Sequence, residues 1–431
     1  MYSEAPRNSA LARETLRSIA NASIGNRPLA LLYCLSIAGF TLAGTLPTAL
    51  GLDSRSVTVP YRAMVLCLSL LIIMQWTTHG RRLVLSSFVA LLATAWLMII
   101  LRMLFDFSFQ PLLLRMQPSE YLVIAIGVCA IPMAAMLSFP SERTLRSAWF
   151  YSITACVLAV LGVIAIVLNQ GLVGIWAERL STDVLNPISL GHVGASLCIL
   201  AMATPARNLP RSRQGATAFS LLRLTLFAAG GIVIIVTGSR GPLFALFLAI
   251  CFFTLFRPTA THEPRTTAKV TLTLGMVAAS CLVIFFVQEN LALLSMDRFF
   301  SFMDSSNQHR MRLISQALAQ FAESPFVGDA MVVRTERDYP HNVLIEALMA
   351  LGIGGFLVIL GIILFTINAA VRILRHRPEA SWLALIAIQH MSGAMFSRSL
   401  YSNDSFWVFT AAAVAAAASN RSLITLTKRA D

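Results

Sequence analysis

Residues 342–370 read NVLIEALMALGIGGFLVILGIILFTINAA, and Glu346 is the single charged residue among them. A helix that crosses the hydrocarbon core of a bilayer needs about 20 apolar residues, so this stretch is long enough to span a membrane by itself. The whole chain has the same character, because 57% of its 431 residues are hydrophobic and only 12% are charged. We therefore expect a membrane protein, which excludes a soluble enzyme, a disordered chain and a coiled coil.

The apolar segments predict an all-α, polytopic bundle with about twelve transmembrane helices. The spans are residues 29–48, 60–77, 83–101, 119–138, 148–168, 186–204, 217–237, 241–256, 270–288, 342–370, 381–396 and 405–419. The run from Ala216 to Phe256 is divided in two at Arg240, because a charge beside glycines and Pro242 is costly at the bilayer centre. We expect this break to form a hairpin at the membrane surface.

The distribution of basic residues predicts the orientation of the bundle. With the N-terminus inside, the inner loops and tails carry 20 of the 33 Lys and Arg residues, as the positive-inside rule requires. The net charge of +13 then reflects orientation rather than nucleic-acid binding. The expected order is a cytoplasmic tail (1–28), a bundle (29–288), a large outer loop (289–341), a second part of the bundle (342–419) and a cytoplasmic tail (420–431).

The outer loop 289–341 is far longer than the others, and long loops tend to be functional or disordered. Residues 310–323 (RMRLISQALAQFAE) predict an amphipathic helix inside it, since apolar residues recur at helical spacing. These residues are Met311, Ile314, Leu318 and Phe321. Ser324-Pro325 is expected to end the helix.

The basic residues predicted on the outer face are all arginines, and several lie at the ends of spans. A guanidinium there can bind phosphate oxygens through two hydrogen bonds in a setting of low dielectric constant. Compositional bias is an alternative reason for the choice of arginine, because the chain has only two lysines. These arginines are Arg55, Arg62, Arg102, Arg115, Arg179, Arg240, Arg298, Arg310, Arg312, Arg334, Arg337 and Arg398.

Ser239-Arg240-Gly241 occupies the predicted hairpin tip. Gly238 and Gly241 flank its serine and arginine, which would let a phosphate approach the backbone closely. The alternative is an ordinary turn whose arginine reaches towards the membrane surface. The tip is therefore a candidate substrate-binding element.

His341 and Asn342 begin the tenth span, next to the arginine-rich loop. A histidine there can act as a general base, and the helix N-terminus favours a bound anion, although a structural histidine is the alternative. Glu346 is expected to pair with an arginine inside the bundle. Arg179 precedes the sixth span, and Arg398 lies in a short loop where it could close the site or be an ordinary loop charge.

Three stretches in this order resemble the superfamily of O-antigen ligases and O-antigen polymerases. They are TGSRGPLFALFLA (237–249), HRMRLISQALAQFAESPFVGDA (309–330) and HNVLIEALMALGIGGFL (341–357). RLSTDVLNPISLG (179–191) is also similar to the family pattern of an arginine before an Asn-Pro helix start. A departure is Ile314, where the family usually has an aromatic residue.

The resemblance implies a GT-C-like helical bundle in the bacterial inner membrane, with its active site at the periplasmic face. It implies metal-independent, inverting transfer of a glycan from undecaprenyl diphosphate, without a cofactor. Arg240 and Arg310 would hold the diphosphate, and His341 would deprotonate the acceptor hydroxyl or stabilise the leaving diphosphate. The remaining candidates for substrate binding are Arg179, Ser239, Gly241, Asn342, Arg312 and Arg398.

The acceptor separates the functions that remain open. An O-antigen ligase would use lipid A-core, a polymerase would use another lipid-linked repeat unit, and an oligosaccharyltransferase would use a protein hydroxyl. A flippase for lipid-linked glycans is the alternative of another class, but the sequence lacks paired broken helices in its two halves. The sequence also lacks a nucleotide-binding motif and a cluster of carboxylates on the outer face for a metal.

Overall fold

The computed structural model describes residues 26–53, 55–78, 87–170, 185–205, 212–258 and 305–427. Within those ranges the chain is helical, apart from one isolated bridge between Val333 and Asp338. The helices are α1 (26–49), α2 (Arg55–Thr78), α3 (Ser87–Phe109), α4 (118–136), α5 (Glu142–Gln170), α6 (Pro187–Met202), α7 (Arg213–Val236), α8 (Arg240–Phe256), α9 (Ser305–Glu323), α10 (Val343–His376), α11 (Ser381–Gly393) and α12 (Asp404–Thr427).

The predicted spans correspond to these helices. The first eight spans match α1 to α8, and the last three match α10 to α12, whereas 270–288 lies outside the described residues. Seven of the helices in the described part are long and apolar enough to cross a membrane, and α6, α8 and the apolar part of α12 are shorter. The chain is therefore an all-α, polytopic membrane protein, as expected.

The centre of the bundle is built around α11 and α12. Trp382 and Trp407 are fully buried, and the Trp407 ring lies 5.0 Å from that of Trp96 on α3. The outer helices instead expose large apolar side chains, such as Met74 on α2 and Leu224 on α7. Lipid is the natural solvent for these exposed faces.

Close contacts at small residues fix the position of α8. A Cβ at Gly194 on α6 would lie 2.6 Å from the carbonyl oxygen of Gly230, so only glycine lets α6 and α7 approach this closely. A Cβ at Gly191 would similarly lie 2.7 Å from Cγ of Pro242, in the first turn of α8. The start of α8, which carries Arg240, is thus packed directly against α6.

The loop before α10 contains the predicted amphipathic helix, which runs over Ser305–Glu323 as α9. The apolar residues that predicted this helix do not form its buried face, because Met311 is 65% exposed and Leu318 is 43% exposed. Leu313, Ala317 and Gln320 form the buried face instead. The reason is that α9 packs on α10 at Met349 and Ile345, while the Gln320 side chain is buried by its hydrogen bonds to the following loop.

We call the end of the bundle where residues 305–341 dock the loop face. Helices α8, α10 and α12 begin there, α3 and α11 end there, and α4 follows a segment that is bonded to the same loop. The candidate residues of the described part are held at this end.

Candidate active site at the loop face

A kink in α10 receives the turn that follows α9. Gly352 has a φ of 69°, so the helix is interrupted there, and the Ile353 N–H donates to the carbonyl of Pro325 over 2.8 Å. Gly328 has a φ of 72°, and a Cβ on it would overlap the Ala350 backbone. Both glycines are required where the two backbones meet, because a side chain fits neither the conformation nor the space.

The next segment of the loop is held by the end of α3. The buried Asp106 carboxylate accepts the backbone N–H of Met331 over 2.8 Å and also binds the Arg102 guanidinium. The Gln110 side-chain amide donates to the Asp329 carbonyl over 3.4 Å. A buried carboxylate with charge-assisted bonds on both oxygens is a strong attachment point for this segment.

A tight turn then brings the chain back towards α10. The Val333 N–H donates to the Asp338 carbonyl over 2.7 Å, and Arg337 has a φ of 52° within the turn. Arg115 fastens it from the segment before α4, since its guanidinium lies 3.1 Å from the Asp338 carboxylate and also donates to the Glu336 carbonyl. The turn is therefore fixed on the side that faces His341.

His341 follows in a left-handed conformation, with a φ of 55°. A positive φ is uncommon outside glycine and persists only where the surroundings impose it. The constraints come from Asn342, whose side chain accepts the N–H groups of Leu344 and Ile345 as the N-cap of α10 and donates to the Met395 carbonyl. The Asn342 side chain is therefore a positioning group for its neighbour.

The imidazole of His341 lies between an aromatic ring and positive charge. The Tyr339 ring packs against it at a centroid distance of 4.6 Å. Burial lowers the pKa of His341 from 6.5 to about 4, with a smaller contribution in the same direction from the positive charge of Arg310 on α9. The imidazole is consequently neutral at physiological pH, which is the form that a general base needs.

Among the described residues, Glu346 does not have the arginine partner that the sequence suggested. Its carboxylate is fully buried and accepts hydrogen bonds from the Ser399 hydroxyl and from the Leu400 N–H, the latter over 2.8 Å. Together with the Val343 N–H, which donates to the Ala394 carbonyl, these bonds fasten the first turns of α10 to the segment after α11. Glu346 is therefore a structural link between two parts of the loop face.

The Arg240 turn reaches the same segment from α8. Gly238 has a φ of 58°, and the buried Ser239 is the N-cap residue of α8. A Cβ at Gly241 would lie 3.9 Å from that of Phe396, while Asn342 contacts the neighbouring Met395. The starts of α8 and α10 thus flank one short stretch, residues 394–396. We call His341, Arg310 and the Arg240 turn the His341 site.

The other candidate residues have different surroundings. Arg312 is exposed on α9, next in sequence to the buried Leu313. Arg179 lies outside the described residues. Arg398 pairs with Asp404 and lines cavities together with Tyr61 of α2, so the structure groups it with another set of side chains.

Sequence reasoning assigned none of three groups that shape the site to it, although Arg115 was among the arginines predicted on the outer face. Tyr339 packs on His341, Arg115 holds the turn before it, and Asp106 holds the loop at Met331. The sequence does contain a signal for Asp106, because it follows Arg102 by four residues, the spacing of an ion pair on a helix. An acidic residue at the end of an apolar span is costly unless it has such a partner. The sequence carries no comparable signal for Tyr339.

Comparison with known families finds a match for the part of the chain that carries the His341 site. Residues 225–360 match the model of a family described as O-antigen ligase. This range contains the Arg240 turn, α9 and the start of α10. The comparison with curated proteins found no match. Residues 225–360 of this multi-pass membrane protein are therefore similar to the O-antigen ligase family, as the resemblance in the sequence predicted.

Proposed function

We propose that the protein is an O-antigen ligase, which transfers a glycan from undecaprenyl diphosphate to lipid A-core at the periplasmic face of the bacterial inner membrane. The observation that carries this proposal is the neutral imidazole of His341, held in a constrained conformation beside the Arg310 charge. It lies within the region that matches the O-antigen ligase family. A base and a cation side by side suit the attack of a hydroxyl on a carbon that bears a diphosphate.

In the proposed reaction, a hydroxyl oxygen of the acceptor attacks the anomeric carbon of the donor from the side opposite the diphosphate. The new carbon–oxygen bond forms while the bond to the diphosphate oxygen breaks, so the configuration is inverted and the diphosphate leaves with the electron pair. His341 takes the hydroxyl proton on its free ring nitrogen. Arg310 and Arg240 balance the negative charge that grows on the leaving group, which needs neither a metal nor a cofactor in this account.

Neighbouring groups complete the proposed donor site. The backbone around Ser239 and Gly241 offers N–H groups at the start of α8, where an anion is favoured. Arg312 on α9 faces outward and is proposed to contact the glycan or an acceptor phosphate. Arg179 is proposed as a further contact to the donor, because residues 179–191 are similar to the family pattern of an arginine before an Asn-Pro helix start.

The acceptor is the test of this proposal. Purified protein is mixed with the lipid-linked glycan and lipid A-core in EDTA, and the acceptor is followed by its shift on a gel. We expect a shifted lipid A-core and release of undecaprenyl diphosphate. Growth of the lipid-linked glycan without a shift of lipid A-core would indicate a polymerase. Modification of an added acceptor protein would indicate an oligosaccharyltransferase. The absence of any product, with the enzyme folded and intact, would overturn the proposal.

A further inference from the structure

A second polar cavity lies at the loop face, between α1, α2, α4 and the start of α12. Its volume is about 220 Å³. Arg62 and Arg398 line one end of it with Tyr61, Ser402, Asp404 and Ser405. The rest of the lining is apolar apart from Ser36, and consists of Phe40, Val65, Ile124, Val128, Pro132 and Val408. We call it the Arg62–Arg398 cavity.

The two ends lie at different depths along the helices. Val65 is about one turn further along α2 than Arg62, and Val408 is about one turn further along α12 than Asp404. Both helices run away from the charged end of the cavity, so the apolar residues lie deeper in the bundle. A charged end at the surface and an apolar end below it match the division of a lipid into headgroup and chain.

Unusual backbone forms two of the three helical sides of this cavity. Helix α1 has a π-helical stretch at Leu35–Gly39, and α4 has another at Val123–Ala130. The Tyr61 hydroxyl donates to the Leu35 carbonyl over 2.8 Å, and a Cβ at Gly39 would lie 2.7 Å from the Tyr61 ring. Such π-helical turns often occur at functional sites, where they move side chains that a regular helix would place elsewhere.

The fourth side is the segment that carries Arg398, which has a φ of 65°. This segment is fixed by Glu346, which binds Ser399 and Leu400 as described above. The Arg398 guanidinium binds the Asp404 carboxylate, yet 34% of its side-chain surface remains accessible. Burial lowers the pKa of Arg398 from its ordinary value, but a guanidinium stays protonated in proteins.

Arg62 supplies a second positive charge at the rim. Its guanidinium lies over the Phe40 ring, 5.2 Å from the centroid, and Phe40 also lines the cavity. Arg62 is exposed on the outer surface of α2, so the rim can be reached from the surrounding bilayer. With Arg62, Arg398 and Asp404 together, the charged end has one positive charge in excess.

We propose that the Arg62–Arg398 cavity binds one anionic membrane phospholipid, with its phosphodiester between the two arginines and a chain against Val65 and Val128. A phosphodiester has one negative charge, which equals the excess charge of the cavity. The Ser402 and Ser405 hydroxyls provide further polar contacts for the headgroup. No residue of the His341 site lines this cavity, and the inference does not depend on the transfer reaction.

Native mass spectrometry of the purified full-length protein tests this directly, since it counts bound lipids. Phosphatidylglycerol and phosphatidylcholine are titrated against the wild type, Arg62→Gln, and the control Arg55→Gln, which makes the same change on the same helix outside the cavity. We expect the wild type and the control to retain one phosphatidylglycerol. Arg62→Gln should require about tenfold more lipid, as the loss of a charge-assisted contact predicts.

Three results would overturn the proposal. These are equal retention by Arg62→Gln, equal binding of phosphatidylcholine, or displacement of the phosphatidylglycerol by undecaprenyl diphosphate, which would assign the cavity to the donor. A second variant, Val128→Trp, fills the apolar end and leaves both arginines in place. It should also lose the bound lipid, and retention of the lipid by this variant would contradict the placement of the chain.

Discussion

The His341 site and the Arg62–Arg398 cavity lie at the same end of the bundle, and each contains a non-glycine residue with left-handed backbone. The φ angles are 55° at His341 and 65° at Arg398. The His341 site comes from short, continuous motifs held in place by the docked loop. The cavity is assembled from side chains on four helices and one connecting segment, and no continuous motif marks it. Constrained backbone therefore marks two candidate sites, of which only the His341 site also carries continuous motifs.

The largest effect on transfer is expected from substitution of Arg310. The same substitution should leave lipid binding in the Arg62–Arg398 cavity unchanged. Arg310→Ala should reduce transfer by about a thousandfold, because a developing diphosphate charge loses its partner. Arg310→Lys should also fail, since a point charge does not replace a planar guanidinium. Transfer is measured in the reconstituted assay, with Arg55→Lys as the control for the same chemical change at an exposed position.

Both Arg310 variants should still retain one phosphatidylglycerol in native mass spectrometry. If they lost the lipid together with transfer, the two regions would be a single site. That result would contradict the separation drawn here.

Glycine substitutions test whether docking of the loop is needed for the His341 site and not for the Arg62–Arg398 cavity. Gly328→Ala should destabilise the protein by about 2 kcal/mol or more, because it combines a positive φ with overlap on the α10 backbone. Transfer should fall with it, while lipid retention should not. Thermal unfolding and protease cleavage of the loop measure the effect.

Gly354→Ala is the matched control, since no neighbouring atom lies within 4 Å of the Cβ it would add. This change is expected to leave stability unchanged or to raise it by up to about 1 kcal/mol, as alanine favours a helix. Equal destabilisation by both variants would argue against the docking contact.

A smaller effect is expected from pH. The pKa of His341 is lowered from 6.5 to about 4 by burial and by Arg310, so the imidazole stays neutral as the pH falls through 6.5. The kcat/KM for the donor should therefore remain near its plateau at pH 5 and decline only towards pH 4. The acid limb of kcat should lie higher, because a bound diphosphate raises the pKa of a neighbouring base.

Measurement of initial rates from pH 4 to pH 8 checks this, with circular dichroism at each pH to show that the protein stays folded. A midpoint at or above 6.5 in kcat/KM would mean that the base is an ordinary, solvated histidine.

Much of the fold could be predicted from hydropathy, because long apolar helices are among the few structures that can span a lipid bilayer. The buried face of α9 could not, since it depends on the surface of α10 and on the bonds of Gln320. Glu346 was misassigned for a similar reason, because its partners, Ser399 and Leu400, are about fifty residues away in sequence. The cavity at Arg62 could not be predicted at all.

The most direct test of the central claim compares His341→Ala with His376→Ala. His341 lies two residues before the start of α10, and His376 is its last residue. His376 is exposed at the end of the helix that lies away from the loop face. Transfer of glycan from undecaprenyl diphosphate is measured for both purified variants in the same assay. We predict a loss of at least about a hundredfold for His341→Ala and a rate close to wild type for His376→Ala. Wild-type rates for both variants would contradict the assignment of the base to His341.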